Sequence, residues 1–389
     1  MDALTIIFFI SIAIILYSYL GYGILLGFLV KIFGKKESYK KVSDQELPDV
    51  ALLIAAYNEQ DYILQKIENC LEFDYPKEKL HLYFVTDGSN DLTPKLASLY
   101  AKVKVYHSSE RKGKMAAVDR VMKEIKEPIT IYSDANAMVN KDAIKNMVRH
   151  FQNEKVGAVA GEKSIAQDHK SDATSAGEGI YWKYESLLKR WDYRLYSVVG
   201  AAGELFAIRT QLYEKPAPDT LIEDFVMTLK IAQNGFRVAY EPEAKAYETA
   251  SAELSEEMKR KVRISAGGLQ AIWRLRTLLN PLKYGVLSFQ YISHRVLRWT
   301  LAPLALVVAF ISNLLLAISG GLLFESLFIA QLAFYAMAFL GYLLEKNHIR
   351  IKALFIPLYF TFMNLSVFLG LIRLSKGSQT VIWAKAKRK

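Results

Sequence analysis

Residues Val50–Ala56 read VALLIAA and run directly into Tyr57-Asn58-Glu59. This apolar run is too short for a self-burying helix and lacks the alternation of a half-exposed strand. It reads as a strand covered on both faces. A helical pattern follows, with Ile63, Ile67 and Leu71 on one face. Further buried strands are expected at 82–86, running into Asp87-Gly88-Ser89, at 103–106, and at 129–133, running into Asp134, with a helical stretch at 114–125. Strands alternating with helices predict an α/β domain with an open, mainly parallel sheet. Such sheets bind ligands beyond the carboxyl ends of their strands. Three of those ends carry Asn58 and Glu59, Asp87, and Asp134. One polar strand end is commonly a turn or a helix cap, but three in succession point to a site.

Outside this region the character of the chain changes. Charged residues make up an ordinary 23% of the 389, but apolar residues concentrate toward both ends. Residues 3–30 carry no charge and are long enough to cross a hydrocarbon core. No basic residue precedes the run and it exceeds the apolar core of a signal peptide, so a signal anchor is expected. Lys31, Lys35, Lys36, Lys40 and Lys41 follow it and put that end in the cytoplasm by the positive-inside rule.

Three further spans are expected at Leu301–Ile318, 322–344 and 353–372. Pro357 and Asn364 in the last predict a kink, or packing against protein instead of lipid. Three crossings from a cytoplasmic domain put the tail outside, yet Lys376, Lys385, Lys387, Arg388 and Lys389 favour inside. One segment is therefore expected to be re-entrant or interfacial. Residues 254–279 mix Met258, Val262, Leu269, Ile272 and Trp273 with Lys259, Arg260, Lys261 and Arg263. That pattern fits a helix lying on the membrane surface or one covering a soluble core, and the adjacent span favours the first.

The expected organisation is a transmembrane helix at 1–33, a cytoplasmic α/β domain at 48–250, interfacial helices at 251–295, a transmembrane region at 296–373 and a basic tail at 374–389. A formal charge of +11 suits anionic lipid or phosphorylated substrates. Without zinc-finger spacing or an aromatic-basic RNA motif, nucleic acid is set aside as a partner. Cys70 is the single cysteine, so no internal disulfide forms.

Other motifs fall in a definite order. Arg111-Lys112-Gly113-Lys114 opens a helical stretch, where basic side chains and helix amides suit a diphosphate. Then come Ser133-Asp134-Ala135-Asn136, Gly200-Ala201-Ala202-Gly203-Glu204, Ile222-Glu223-Asp224-Phe225, a run from Arg260 to Gly268, and a tail motif from Trp383 to Arg388. In this order the motifs resemble those of the membrane-embedded family 2 glycosyltransferases, the group of cellulose, hyaluronan and poly-N-acetylglucosamine synthases.

The resemblance implies a GT-A-type nucleotide-sugar-binding domain. It implies inverting transfer from a nucleotide diphosphate sugar to a glycan or lipid-linked acceptor at the cytoplasmic face of a membrane. By the same resemblance Tyr57, Asn58 and Glu59 contact the nucleotide and Asp87 its base, while Lys114 and Arg263 meet the diphosphate. Asp134 with Asn136 holds a divalent cation, Mg²⁺ or Mn²⁺. Asp224 is the general base, and Gly203, Glu223 and Trp383 face the acceptor.

The sequence departs from the family pattern in two places. Asn136 replaces the second acid of the cation motif and removes one charge. Arg260 and Ile264 stand where processive members have Gln and Trp, which removes an aromatic platform for sugar. Single addition to a lipid-linked acceptor and processive synthesis both remain open. An inactive scaffold has only these substitutions in its favour. A transporter is disfavoured by the lack of paired intramembrane acids or repeat symmetry.

Overall fold

The computed structural model describes residues 2–36, 38–165, 173–248, 254–347, 349 and 351–377. They fall into two compact units. One comprises the described parts of Phe33–Ala166 and Lys189–Ala250, the other those of Met1–Ile32, Gln167–Leu188 and Ser251–Gln379.

The first unit is built on an eight-stranded sheet. Its strands are β1 Val50–Ala56, β2 Leu80–Asp87, β3 Val103–Ser108, β4 Ile129–Asp134, β5 Met138–Val139, β6 Val156–Ile165, β7 Leu205–Arg209 and β8 Arg237–Glu248. Their order across the sheet is β3-β2-β1-β4-β7-β6-β8-β5. The pairs β1–β2, β2–β3, β1–β4 and β6–β8 are parallel, and β7 runs antiparallel to both its neighbours. The uninterrupted apolar run of β1 follows from its place between β2 and β4, where Val50, Ala51, Leu52, Leu53 and Ile54 are all buried.

Register aligns the functional ends. Ala55 pairs with Asp134, Ala56 with Thr86, and Asp87 with Ser108, so Tyr57, Asp87 and Asp134 stand along one edge. The reversal at β7 brings a further segment to that edge. Ser133 pairs with Leu205, so the residues entering β7, Gly200 to Glu204, adjoin the carboxyl end of β4. Gly200 has φ +90°, and a Cβ there would lie 2.1 Å from Cδ2 of Phe225. Gly200→Ala therefore meets both backbone strain and an overpacked ring. It is expected to cost about 3 kcal/mol, read as a lower unfolding temperature in detergent.

The second unit is helical. Ala3–Phe33, Leu301–Ile318, Leu322–Lys346 and Lys352–Ser375 are each long and apolar enough to cross a membrane. A π-helical turn at Tyr17–Gly21 interrupts the first. Such a turn releases carbonyls from the α-helical ladder. The Ser18 carbonyl accepts from Arg298 Nε at 3.0 Å and the Tyr19 carbonyl from the Tyr184 hydroxyl at 2.9 Å. Gly23 makes the second contact possible, because a Cβ there would sit 2.3 Å from Tyr184 Oη.

Half of the apolar window of Lys352–Ser375 is buried, against 11% for Leu322–Lys346. Its helix continues through Pro357, and Asn364 accepts from the Tyr19 hydroxyl at 2.6 Å, so this segment packs against protein as its polar residues predicted. All three C-terminal segments are continuous helices, so continuity singles out none of them as re-entrant.

The amphipathic helix Leu254–Arg274 lies against Lys352–Ser375. Ser265 and Ser366 bring their hydroxyls to 2.9 Å, and a Cβ on Gly370 would lie 2.7 Å from the Ala266 nitrogen. Its apolar face is thus covered by protein in part, while Trp273 near its end stays 71% exposed.

Candidate active site

The cleft at the carboxyl edge of the sheet is lined by Ala56, Tyr57, Asp87, Arg111, Gly113 and Lys114. Asn58 has φ +54°, the one non-glycine residue with positive φ among the described residues. Asparagine tolerates that geometry when its amide finds local partners. Asn58 Nδ2 donates to Asn90 Oδ1 at 2.8 Å, and the Asn90 amide donates back to Asn58 Oδ1 at 3.0 Å. The Glu59 amide donates to Thr93 Oγ1 at 2.8 Å. Asn58 and Glu59 therefore tie the loop after β1 to the loop after β2. The Tyr57 ring meets the guanidinium of Arg111 at 3.6 Å.

Asp87 is buried and its carboxylate is engaged. One oxygen accepts the amides of Lys112 at 2.8 Å and Gly113 at 2.6 Å, and the other accepts from Arg120 Nη1 at 3.2 Å. The family resemblance implies a nucleobase contact for Asp87, and the basic residues at the start of the helix Lys114–Met122 suit a diphosphate. In the fold the carboxylate and the amides leading into that helix satisfy each other, because a buried acid and unpaired donors stand face to face. Any base that Asp87 reads has to share these bonds or exchange with them.

Lys114 joins the two acidic motifs. Its Nζ lies 2.9 Å from Asp134 Oδ1 and 3.2 Å from Glu223 Oε1. Burial alone would lower this ammonium's pKa, but Asp134, Glu223 and Asp224 hold it above the ordinary lysine value. Asp224 sits beside Glu223 in the first turn of the helix Glu223–Gln233. Burial, then the carboxylates of Glu223 and Glu204, push Asp224 up to about 7 against the pull of Lys114. Gly203 faces this acid closely, since a Cβ there would lie at contact distance, 3.4 Å from Asp224 Oδ2 and 3.8 Å from Lys114 Nζ. Glu204 pairs with the buried Lys163, which also pairs with Glu248.

The fold thus gathers Lys114, Asp134, Gly203, Glu223 and Asp224, with Asn136 in the turn just after β4. Among the described residues no three His, Cys, Asp or Glu side chains cluster as a metal site. Asp134 and Asn136 offer hard oxygen donors at a strand end. That set fits a cation that arrives with phosphate oxygens, not one held by protein alone. Arg263 lies on Leu254–Arg274 in the helical unit. Trp383 lies outside the described residues.

Several neighbours went unread in the sequence: Arg120 on Asp87, the Lys163–Glu204–Glu248 group, and Lys66. Lys66 did leave a signal, because it falls on the face of the helix Ile63–Leu71 that buries Ile63, Ile67 and Cys70.

Residues 48–267 match the family described as glycosyltransferase-like family 2. The chain belongs to this family. The beta-monoglucosyldiacylglycerol synthase of Trichormus variabilis is 33% identical over 180 residues, 45% of this chain and 37% of that protein. The poly-beta-1,6-N-acetyl-D-glucosamine synthase of Staphylococcus aureus is 28% identical over 248 residues, 60% of this chain and 58% of that one. The chain thus spans less than two thirds of the length of these curated relatives. A mannosyltransferase from Pyrobaculum calidifontis, solved with GDP-mannose and Mn²⁺, superposes with a TM-score of 0.72 at 19% identity, covering 96% of this chain and all of that one. At that identity the likeness establishes the fold. The chain has a GT-A-fold domain with a mixed sheet and, among the described residues, four candidate transmembrane helices.

Proposed function

We propose that this glycosyltransferase transfers a sugar, with inversion, from a nucleotide diphosphate donor to a lipid-linked or glycan acceptor at the cytoplasmic face of a membrane. The observation that carries the proposal is the placement of Asp224. A carboxyl pushed up to about 7 stands against Gly203 and close to the diphosphate-side lysine. A general base works best with a pKa near the operating pH.

In the proposed step the acceptor oxygen attacks the anomeric carbon and its proton passes to Asp224. The bond from that carbon to the phosphate oxygen breaks, and its electron pair leaves with the nucleoside diphosphate. Lys114 meets the charge developing on the leaving group, and the family resemblance implies a diphosphate contact for Arg263. Tyr57, Asn58, Glu59 and Asp87 form the nucleotide side, and Glu223, a residue of the acceptor side, pairs with Lys114. A divalent cation, Mg²⁺ or Mn²⁺, would be held by Asp134 and Asn136 and would neutralise diphosphate charge. The basic residues after the first helix support a cytoplasmic domain. The apolar surface of Leu322–Lys346 supports contact with membrane lipid.

The test is to present purified protein in detergent with a panel of nucleotide sugars, with and without membrane lipid extract. Lipid-dependent release of free nucleoside diphosphate from one donor is expected. Release from none of them would overturn the proposal.

The two relatives named above are, by their names, a glycolipid synthase and a polysaccharide synthase. Ile264 favours single or short additions, because a growing chain would lack an aromatic face to hold it between turnovers. Products sized at low enzyme and high acceptor are expected to be single units or short oligosaccharides. Long polymer beside unused acceptor would favour the processive reading, and its loss in Trp383→Ala would assign the platform to the tail.

A further inference from the structure

We propose that Lys66 is a positioning residue whose ammonium holds, from beneath, both the turn carrying Asp134 and Asn136 and the segment carrying Gly203 and Glu204. The inference rests on the site assignment above and extends it to a residue that touches neither substrate.

Lys66 is wholly inaccessible, at 0% exposure. Burial pushes the pKa of Lys66 down, against the pull of Cys70 and Asp134, so its amino group needs protein oxygens in place of water. Lys66 Nζ donates to Ser133 Oγ at 2.8 Å and to the carbonyl of Ala137 at 2.5 Å. These two oxygens bracket the Asp134-Ala135-Asn136 turn. The Ala137 amide closes that turn by donating to the Asp134 carbonyl at 3.2 Å, so the same residue is gripped through both its amide and its carbonyl.

Ser133 passes the hold onward. Its hydroxyl accepts from Lys66 and donates to the Glu204 carbonyl at 3.2 Å. With its oxygen accepting from Lys66, the Ser133 hydroxyl is left to donate to backbone carbonyls, that of Glu204 at 3.2 Å and, more distantly, that of Asp134 at 3.4 Å. Glu204 follows Gly203, whose Cα faces Asp224 Oδ2. One buried charge therefore reaches the cation turn in a single bond and the segment facing Asp224 in two.

Core packing alone does not call for a lysine here. Its helix already presents Ile63, Ile67 and Cys70 to the same side, and methionine would fill similar space without the cost of burying charge. What methionine lacks is the pair of donors. Catalytic groups displaced by about 1 Å lose about 100-fold in rate, which sets the scale of what these bonds secure.

The experiment compares the full-length protein with Lys66→Met and Ser133→Ala. Hydrogen exchange without added nucleotide is expected to quicken in Lys66→Met over residues 134–139 and 203–206, with β2 and β3 unchanged. In the same variant kcat is expected to fall about 10- to 100-fold. The Mn²⁺ needed for half-saturation, read by spin resonance in the presence of UDP or GDP, should rise several-fold. Ser133→Ala removes the onward link and one of the two bonds that bracket the cation turn, while Ala137 still accepts from Lys66. It is expected to loosen 203–206 and lower kcat, with a smaller rise in the Mn²⁺ requirement than in Lys66→Met.

Unchanged exchange at both segments in Lys66→Met would overturn the proposal. So would unchanged kcat and Mn²⁺ requirement, whatever happens to the unfolding temperature. If Lys66→Met fails to fold, unaltered exchange at 203–206 and unaltered kcat in Ser133→Ala overturn it instead. If the wild-type protein transfers no sugar, the catalytic reading fails, and the exchange pattern still decides what Lys66 holds.

Discussion

Asp224→Asn is expected to fold and to bind donor, yet to lose about two to four orders of magnitude in transfer. The substitution keeps the shape of the side chain in the first turn of its helix and removes only its capacity to take a proton. Lys114 retains Asp134 and Glu223, so the donor side keeps its charge balance. The wild-type enzyme should lose activity as pH falls through about 7, because the protonated acid cannot act as a base. Asp224→Asn should lack that limb in whatever activity remains.

Linkage adds a stability expectation with a definite sign. A carboxyl whose pKa is raised by folding binds its proton more tightly in the native than in the unfolded state, so native stability declines as pH rises from the usual carboxylate range toward 7. The Asn variant escapes that decline. At pH 8 it should therefore unfold at a temperature no lower than wild type. Near wild-type turnover, or an unmoved acid limb, would remove Asp224 from the role of base.

The part of the fold legible in sequence is the part whose causes are local. β1 and β4 are flanked by strands on both sides, so β1 is an unbroken apolar run and β4 stays buried through Ser133 even at its polar Thr130, and each leads into polar residues at its end. β8 is not legible in the sequence, because RVAYEPEAKAYE places Pro242 and five charged residues in the strand. Those residues are tolerated where pairing is irregular, and the register against β6 shifts twice.

The site divides in the same way. Asn58, Asp87 and Asp134 could be read because each closes a strand whose end is visible. The bond between Asp87 and the amides of Lys112 and Gly113 joins residues 25 and 26 positions apart. It exists only because β2 and the helix Lys114–Met122 meet at their ends. Gly203 could be recognised as small, but its position in front of Asp224 depends on the antiparallel entry of β7.

Asp134→Ala is expected to lower activity by about 100-fold or more and to raise the cation concentration needed for half-maximal rate. Two effects combine in this variant. The hard-oxygen pair of Asp134 and Asn136 is reduced to a neutral amide, which holds a divalent cation weakly. Lys114 also loses its 2.9 Å partner and keeps the 3.2 Å contact with Glu223, so its ammonium is less firmly held on the donor side. Donor KM should rise together with the cation requirement. That pairing separates this variant from Asp224→Asn, in which neither should move. Asn136→Asp tests the same site in the opposite direction. A second carboxylate two residues along restores the charge that the amide lacks, and Lys114 is close enough to offset part of the repulsion between the acids. The half-maximal Mn²⁺ or Mg²⁺ concentration should fall in Asn136→Asp and rise in Asp134→Ala. Titrating both cations against both variants reads the two shifts. A cation requirement unchanged in Asp134→Ala would mean that the metal, if the enzyme uses one, is held elsewhere, and Asp134 would then serve as the anchor of Lys114 alone.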